Sequence, residues 1–155
     1  MKARARLLSF AILFAAAAVC VAADNVNMGT WKLDEAKSKI SAGAPKNTTV
    51  VYEAAGDSVK VTVDGIDANG NPTHSEWTGK FDGKDYPVTG DLIADTRSYR
   101  RINTRTLALT SKKGGKVTLT GRIVVSADGR TRTVTTSATD SKGKKVRTTA
   151  VYDKQ

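Results

Sequence analysis

Gly-, Asn- and Asp-rich turn signals cut this chain into short pieces. They are Ala55-Gly56-Asp57, Asp67-Ala68-Asn69-Gly70-Asn71-Pro72, Asp82-Gly83-Lys84-Asp85, Lys113-Gly114-Gly115, Ala127-Asp128-Gly129 and Ser141-Lys142-Gly143. Such residues adopt the positive-φ geometry of tight hairpins at little steric cost. The segments between them are rich in Val, Thr, Ile and aromatics, which suit a pleated surface. No helical period is sustained after the N-terminal segment. Short strands joined by tight turns predict an all-β meander, sandwich or barrel.

Alternation sets which side chains share a face. Val59, Val61 and Val63 oppose Lys60, Thr62 and Asp64; Val117, Leu119, Gly121, Ile123 and Val125 oppose Thr118, Thr120 and Arg122; Trp77, Gly79 and Phe81 oppose His74, Glu76, Thr78 and Lys80. A period of two with one apolar face means a sheet buried on one side and wet on the other. Strands are expected near 29–34, 47–55, 58–66, 73–82, 84–89, 96–102, 105–112, 116–126, 131–139 and 145–153, with one short helix over Asp34–Ser41 before Gly43 and Pro45. Consecutive hairpins remove their edges most simply by closing on themselves. The expected fold is therefore one domain, residues 24–155, forming a single antiparallel up-and-down β-barrel of about 8–10 strands.

Residues 1–23 read as a signal peptide. Lys2, Arg4 and Arg6 precede the uncharged apolar run Leu7–Val21, and Val21-Ala22-Ala23 places small residues before Asp24. The run is shorter than the ~20 residues a membrane span needs, so cleavage is expected over an uncleaved anchor. The implied location is the periplasm or outside the cell, with no transmembrane span after cleavage. Lipidation at Cys20 fits poorly, because Val19 stands where a small residue is needed. Cys20 is the chain's one cysteine, so the processed protein has no disulfide, no thiol nucleophile and no cysteine-ligated zinc.

Gly29-Thr30-Trp31-Lys32-Leu33 resembles the Gly-x-Trp start of lipocalins and fatty-acid-binding proteins, and Thr149–Lys154 resembles the closing strand of the latter. The chain is also similar to small secreted bacterial proteins of unassigned function that share a Trp-Lys-Leu start, an Asp-Gly-Lys-x-Tyr-Pro segment (Asp82–Pro87) and a Val-Tyr end. This calycin-like resemblance implies a barrel that holds a small, partly apolar ligand inside. It also implies that Trp31 is structural, plugging the closed end, with a basic residue such as Lys145 or Arg147 packed over it. Two departures stand out. The last strand of fatty-acid-binding proteins carries Arg-x-Tyr to hold a carboxylate; here Tyr152 matches but Ala150 replaces the arginine. The helical lid is compressed to Asp34–Pro45.

The expected ligand-binding residues are the inward aromatics Tyr52, Trp77, Phe81, Tyr99 and Tyr152. Few apolar side chains larger than Val face in from the late strands, which leaves room. Strand 131–139 is mostly Thr. Outward, Thr is simply a good strand former; inward, it lines a partly polar cavity, and the strand register decides between them.

Charge is lopsided. Residues 24–96 hold 7 Lys or Arg against 12 Asp or Glu, a net of −5; residues 97–155 hold 15 against 3, a net of +12. Such a basic half either keeps the protein soluble or docks an anionic envelope lipid or polysaccharide, with Arg97, Arg100, Arg101, Arg105, Arg130 and Arg132 as the expected contacts. A purely structural envelope protein is the third reading. Nucleic acid is a poor partner, because Tyr99 and Tyr152 are the basic half's only aromatics and stacking needs more. His74 is the only histidine and no Gly-x-Ser-x-Gly elbow is present. Neither enzymatic activity nor a cofactor nor a metal site is expected.

Overall fold

The computed structural model describes residues 25–139 and 143–155; the expected signal peptide, with Cys20, lies outside them. Ten strands follow one another: β1 (Gly29–Lys39), β2 (Lys46–Ala55), β3 (Ser58–Ile66), β4 (Pro72–Gly79), β5 (Tyr86–Thr89), β6 (Thr96–Asn103), β7 (Thr106–Lys113), β8 (Lys116–Val125), β9 (Thr131–Thr139) and β10 (Lys145–Lys154). Each pairs antiparallel with its sequence neighbour, and β1 closes on β10. The fold is the closed all-β barrel expected from the run of hairpins. At Lys113-Gly114-Gly115-Lys116 both glycines have positive φ, +54° and +77°, and the flanking lysines pair across the turn. That is the primed geometry whose twist matches a hairpin.

Closure gives the barrel two ends. The lower end carries residues 25–28 and the turns at 56–57, 104–105 and 126–130. The upper end carries the connections at 40–45, 67–71, 90–95 and 114–115. Residues opposite one another on paired strands share a face, so the ladders stack into rows inside the barrel. From the bottom, one row is Leu33, Tyr152, Arg132 and Val125. Above it lie Ala150, Val134, Ile123 and Leu107, then Thr148, Thr136, Gly121 and Leu109. Highest are Val146, Ala138, Leu119 and Ser111. This register resolves the threonines of β9: Thr136 faces in, while Thr131, Thr133 and Thr135 face out.

The helix expected over Asp34–Ser41 is not present; β1 runs on to Lys39 with a register shift between Asp34 and Lys39. The reason is tertiary. The Ser38 hydroxyl donates to the Asp34 carbonyl at 2.6 Å and accepts the Val151 N–H of β10 at 2.9 Å, tying the segment to the sheet. Beyond Lys32, β1 stays with β10 and leaves β2. The β1–β2 ladder holds only Gly29–Lys32 against Thr49–Tyr52, whereas β2–β3 is paired from Lys46–Ile66 down to Ala55–Ser58. The barrel wall is split there at its upper end.

Candidate functional site

The lower lumen is filled. Trp31 is fully buried, and its indole Nε1 donates to the Asn27 carbonyl at 2.8 Å. The Arg132 guanidinium lies 5.1 Å from the Trp31 ring, 5.0 Å from Tyr52 and 4.9 Å from Tyr152. Lys154 sits 5.2 Å from the Trp31 ring. Arg132 is 2% exposed, and its Nε and Nη1 have no hydrogen-bond partner among the described residues. Three aromatic faces, each carrying the negative lobe of a quadrupole, stand in for a carboxylate. Burial pushes the Tyr52 and Tyr152 hydroxyls above the usual phenol range, with Arg132 pulling the other way, so both stay neutral.

Next to this stack, the five expected ligand residues come together but mostly face one another. Trp77 meets Tyr99 edge-on at 4.7 Å and stacks on Phe81 at 6.4 Å; Tyr52 lies 6.5 Å from Tyr99. The Trp77 Nε1 donates to the Arg97 carbonyl at 2.8 Å. A Cβ at Gly79 would lie 2.5 Å from the Tyr86 ring and 2.6 Å from Trp77, so only glycine lets these rings close. Tyr52, Trp77, Tyr99 and Tyr152 are buried core; Phe81 is half-buried and borders a cavity of about 270 Å³ at the lower end.

The upper lumen differs. Along the inward face of β10, exposure climbs from Tyr152 (3%) and Ala150 (7%) through half-buried Thr148 to Val146 (38%). Leu119, Thr136 and Ala138 are half-buried as well. Solvent thus partly reaches these short aliphatic and hydroxyl side chains at the upper end. At the same end, a cavity of about 460 Å³ lies at the split between β1 and β2, against the β3–β4 turn. Ile40, Ala44 and Ile66 give it apolar wall; Ser38, Asp67 and the Lys46–Glu35 ion pair (2.7 Å) give it polar wall. The Tyr152 hydroxyl reaches toward the split from inside, donating to the Asn47 carbonyl at 3.2 Å.

Two members of the expected anion-docking set face inward. Arg132 is enclosed as described. Arg97 is mostly buried, ion-paired with Asp91, and its Nε donates to the Ser111 hydroxyl at 3.1 Å. Burial alone would lower its pKa, but Tyr99 and Asp91 outweigh burial and raise it. Arg100, Arg101, Arg105 and Arg130 are exposed, Arg101 lying 5.7 Å from the Phe81 ring. Lys145 and Arg147, expected over Trp31, point into solvent; Arg132 and Lys154 take that place. Arg132 pairs directly with Tyr152 across β9 and β10. His74 is on the outer face, 2.7 Å from Asp64 and 3.8 Å from Glu76.

Sequence reasoning placed the site on the aromatics and expected room beside the late strands, but did not derive the split between β1 and β2. Its signal for Arg132 was available: the residue shares parity with Val134 and Ala138. No family model matches the chain, and no curated protein matches it. Among solved structures, it is similar to a redesigned β-barrel, mFAP1, determined bound to DFHBI, at 14% identity and a TM-score of 0.47 over 85% of this chain and 98% of that one.

Proposed function

We propose that this is an exported, non-enzymatic barrel that binds a small, partly apolar molecule in its upper lumen, with the β1–β2 split as the way in. The observation that carries the reading is the cavity of about 460 Å³ at that split, within the size range of small-molecule sites and of mixed apolar and polar lining. Two features of the wall support it. The β8–β10 side offers Leu119, Thr136, Ala138, Val146 and Thr148, none of them packed to full burial. The Lys46–Glu35 pair crosses the split from β2 to β1 and is exposed on its Glu35 side, where such a pair holds weakly and can part. Export rests on Lys2, Arg4, Arg6 and the apolar run that follows.

The test is titration with a neutral lipophilic fluorophore such as Nile red. Saturable one-to-one enhancement is expected, lost in Ala138→Trp, which fills the upper lumen, and in Ala44→Trp, which fills the split. Absence of saturable binding, or binding indifferent to both substitutions, overturns the proposal.

A further inference from the structure

The connection between β5 and β6 is built for more than linkage. Residues 90–95 read Gly-Asp-Leu-Ile-Ala-Asp, and its two carboxylates are used as internal braces. Asp91 accepts the Ile93 N–H at 2.9 Å and reaches inward to the buried Arg97. Asp95 accepts the Gly114 N–H at 2.8 Å, and its own N–H donates to the Lys112 carbonyl at 2.9 Å. Ala94 is buried beneath. What this anchored loop presents outward is Leu92, 71% exposed, and Ile93, 49% exposed. Water gives two adjacent aliphatic side chains no reason to be held so far out on a braced loop.

The neighbouring hairpin supplies charge. Lys113 donates to the Leu92 carbonyl at 3.3 Å, which brings the β7–β8 turn against the loop. Lys113 pairs across the turn with Lys116, and Val117, 58% exposed, follows. Neither Lys113 nor Lys116 has a carboxylate partner among the described residues, whereas Lys112 beside them is paired with Asp85. Aliphatic tips flanked by lysines without a carboxylate partner match one surface in both respects: apolar side chains enter the acyl boundary and ammonium groups meet anionic headgroups.

We propose that the Leu92–Ile93 loop and the Lys113–Val117 hairpin form a docking face for an anionic lipid bilayer. It lies at the upper end, so docking turns the open end of the barrel toward the membrane. The face is distinct from the arginines expected from the sequence: Arg105 and Arg130 sit at the opposite end. It also stands independently of lumen binding.

The experiment is flotation of the full-length processed protein with vesicles of phosphatidylcholine alone or with 30% phosphatidylglycerol. Binding is expected only to the anionic vesicles, weakening steeply between low and high salt. Leu92→Ser/Ile93→Ser and Lys113→Glu/Lys116→Glu should each reduce partitioning by about tenfold or more. Arg105→Glu/Arg130→Glu, which removes equal charge at the far end, should change it by less than about threefold. All substituted side chains are exposed, and unchanged thermal unfolding verifies the fold. Absence of anionic-vesicle binding, or equal loss from the two charge reversals, overturns the proposal. So does concentration-dependent dimerisation abolished by Leu92→Ser/Ile93→Ser without vesicle binding, which assigns the face to a second copy of the chain.

Discussion

The two halves of the lumen use the same sheet for opposite purposes. Below, most inward positions carry a large ring, a branched aliphatic or the enclosed Arg132, and the rings close over Gly79. Above, the inward positions of β8, β9 and β10 shrink to Leu119, Ala138, Val146, Thr136, Thr148 and Gly121, and the wall opens between β1 and β2. On the proposed reading, the lower half defines the fold and the upper half holds the ligand. A barrel packed uniformly would have no such division of labour.

The largest expected effect falls on the floor. Trp31→Ala removes a fully buried indole and its hydrogen bond and should cost about 3–5 kcal/mol in denaturant unfolding. Arg132→Met keeps most of the volume and removes the charge; it should cost about 2 kcal/mol if three π faces stabilise the guanidinium. A neutral or stabilising result would mean that desolvating the cation cancels those contacts. Leu119→Ala sharpens the contrast between halves. A packed core leucine loses about 2–5 kcal/mol on truncation, whereas half-buried Leu119 should lose only about 1 kcal/mol. A core-like loss there would mean that the upper lumen is as tightly filled as the lower.

The smallest effect is on the outer face. The hydrogen bond that the His74 ring donates to the Asp64 carboxylate, with Glu76 nearby, raises the His74 pKa above its usual 6.5. The protonated ring then contributes stability below pH 6.5, and the contribution fades as pH rises through the raised value. His74→Ala should lower Tm slightly at pH 5 and not at pH 8.5; both partners are exposed, so the difference is small.

Most of the architecture was legible because strands with one wet face announce themselves through period two, and the glycine turns bound them. The inward aromatics were legible for the same reason. Three features were not. Arg97 and Arg132 read as surface cations, since a lone charge carries no sign of the carboxylate or rings that will receive it; only parity with Tyr99, and with Val134 and Ala138, hinted at burial. The segment after Asp34 read as a helix because its tie, Ser38 to Val151, spans 113 residues. The split between β1 and β2 lies beside that same long-range tie, and no local pattern encodes it.

The division of the lumen is tested most directly by an amide NMR titration of the isotopically labelled protein with a neutral lipophilic ligand. Saturable shifts should concentrate at Ile40, Ala44, Leu119, Ala138, Val146 and Thr148, leaving Trp31, Arg132 and Tyr152 nearly still. No saturable shifts, or shifts centred on the floor residues, would contradict the account.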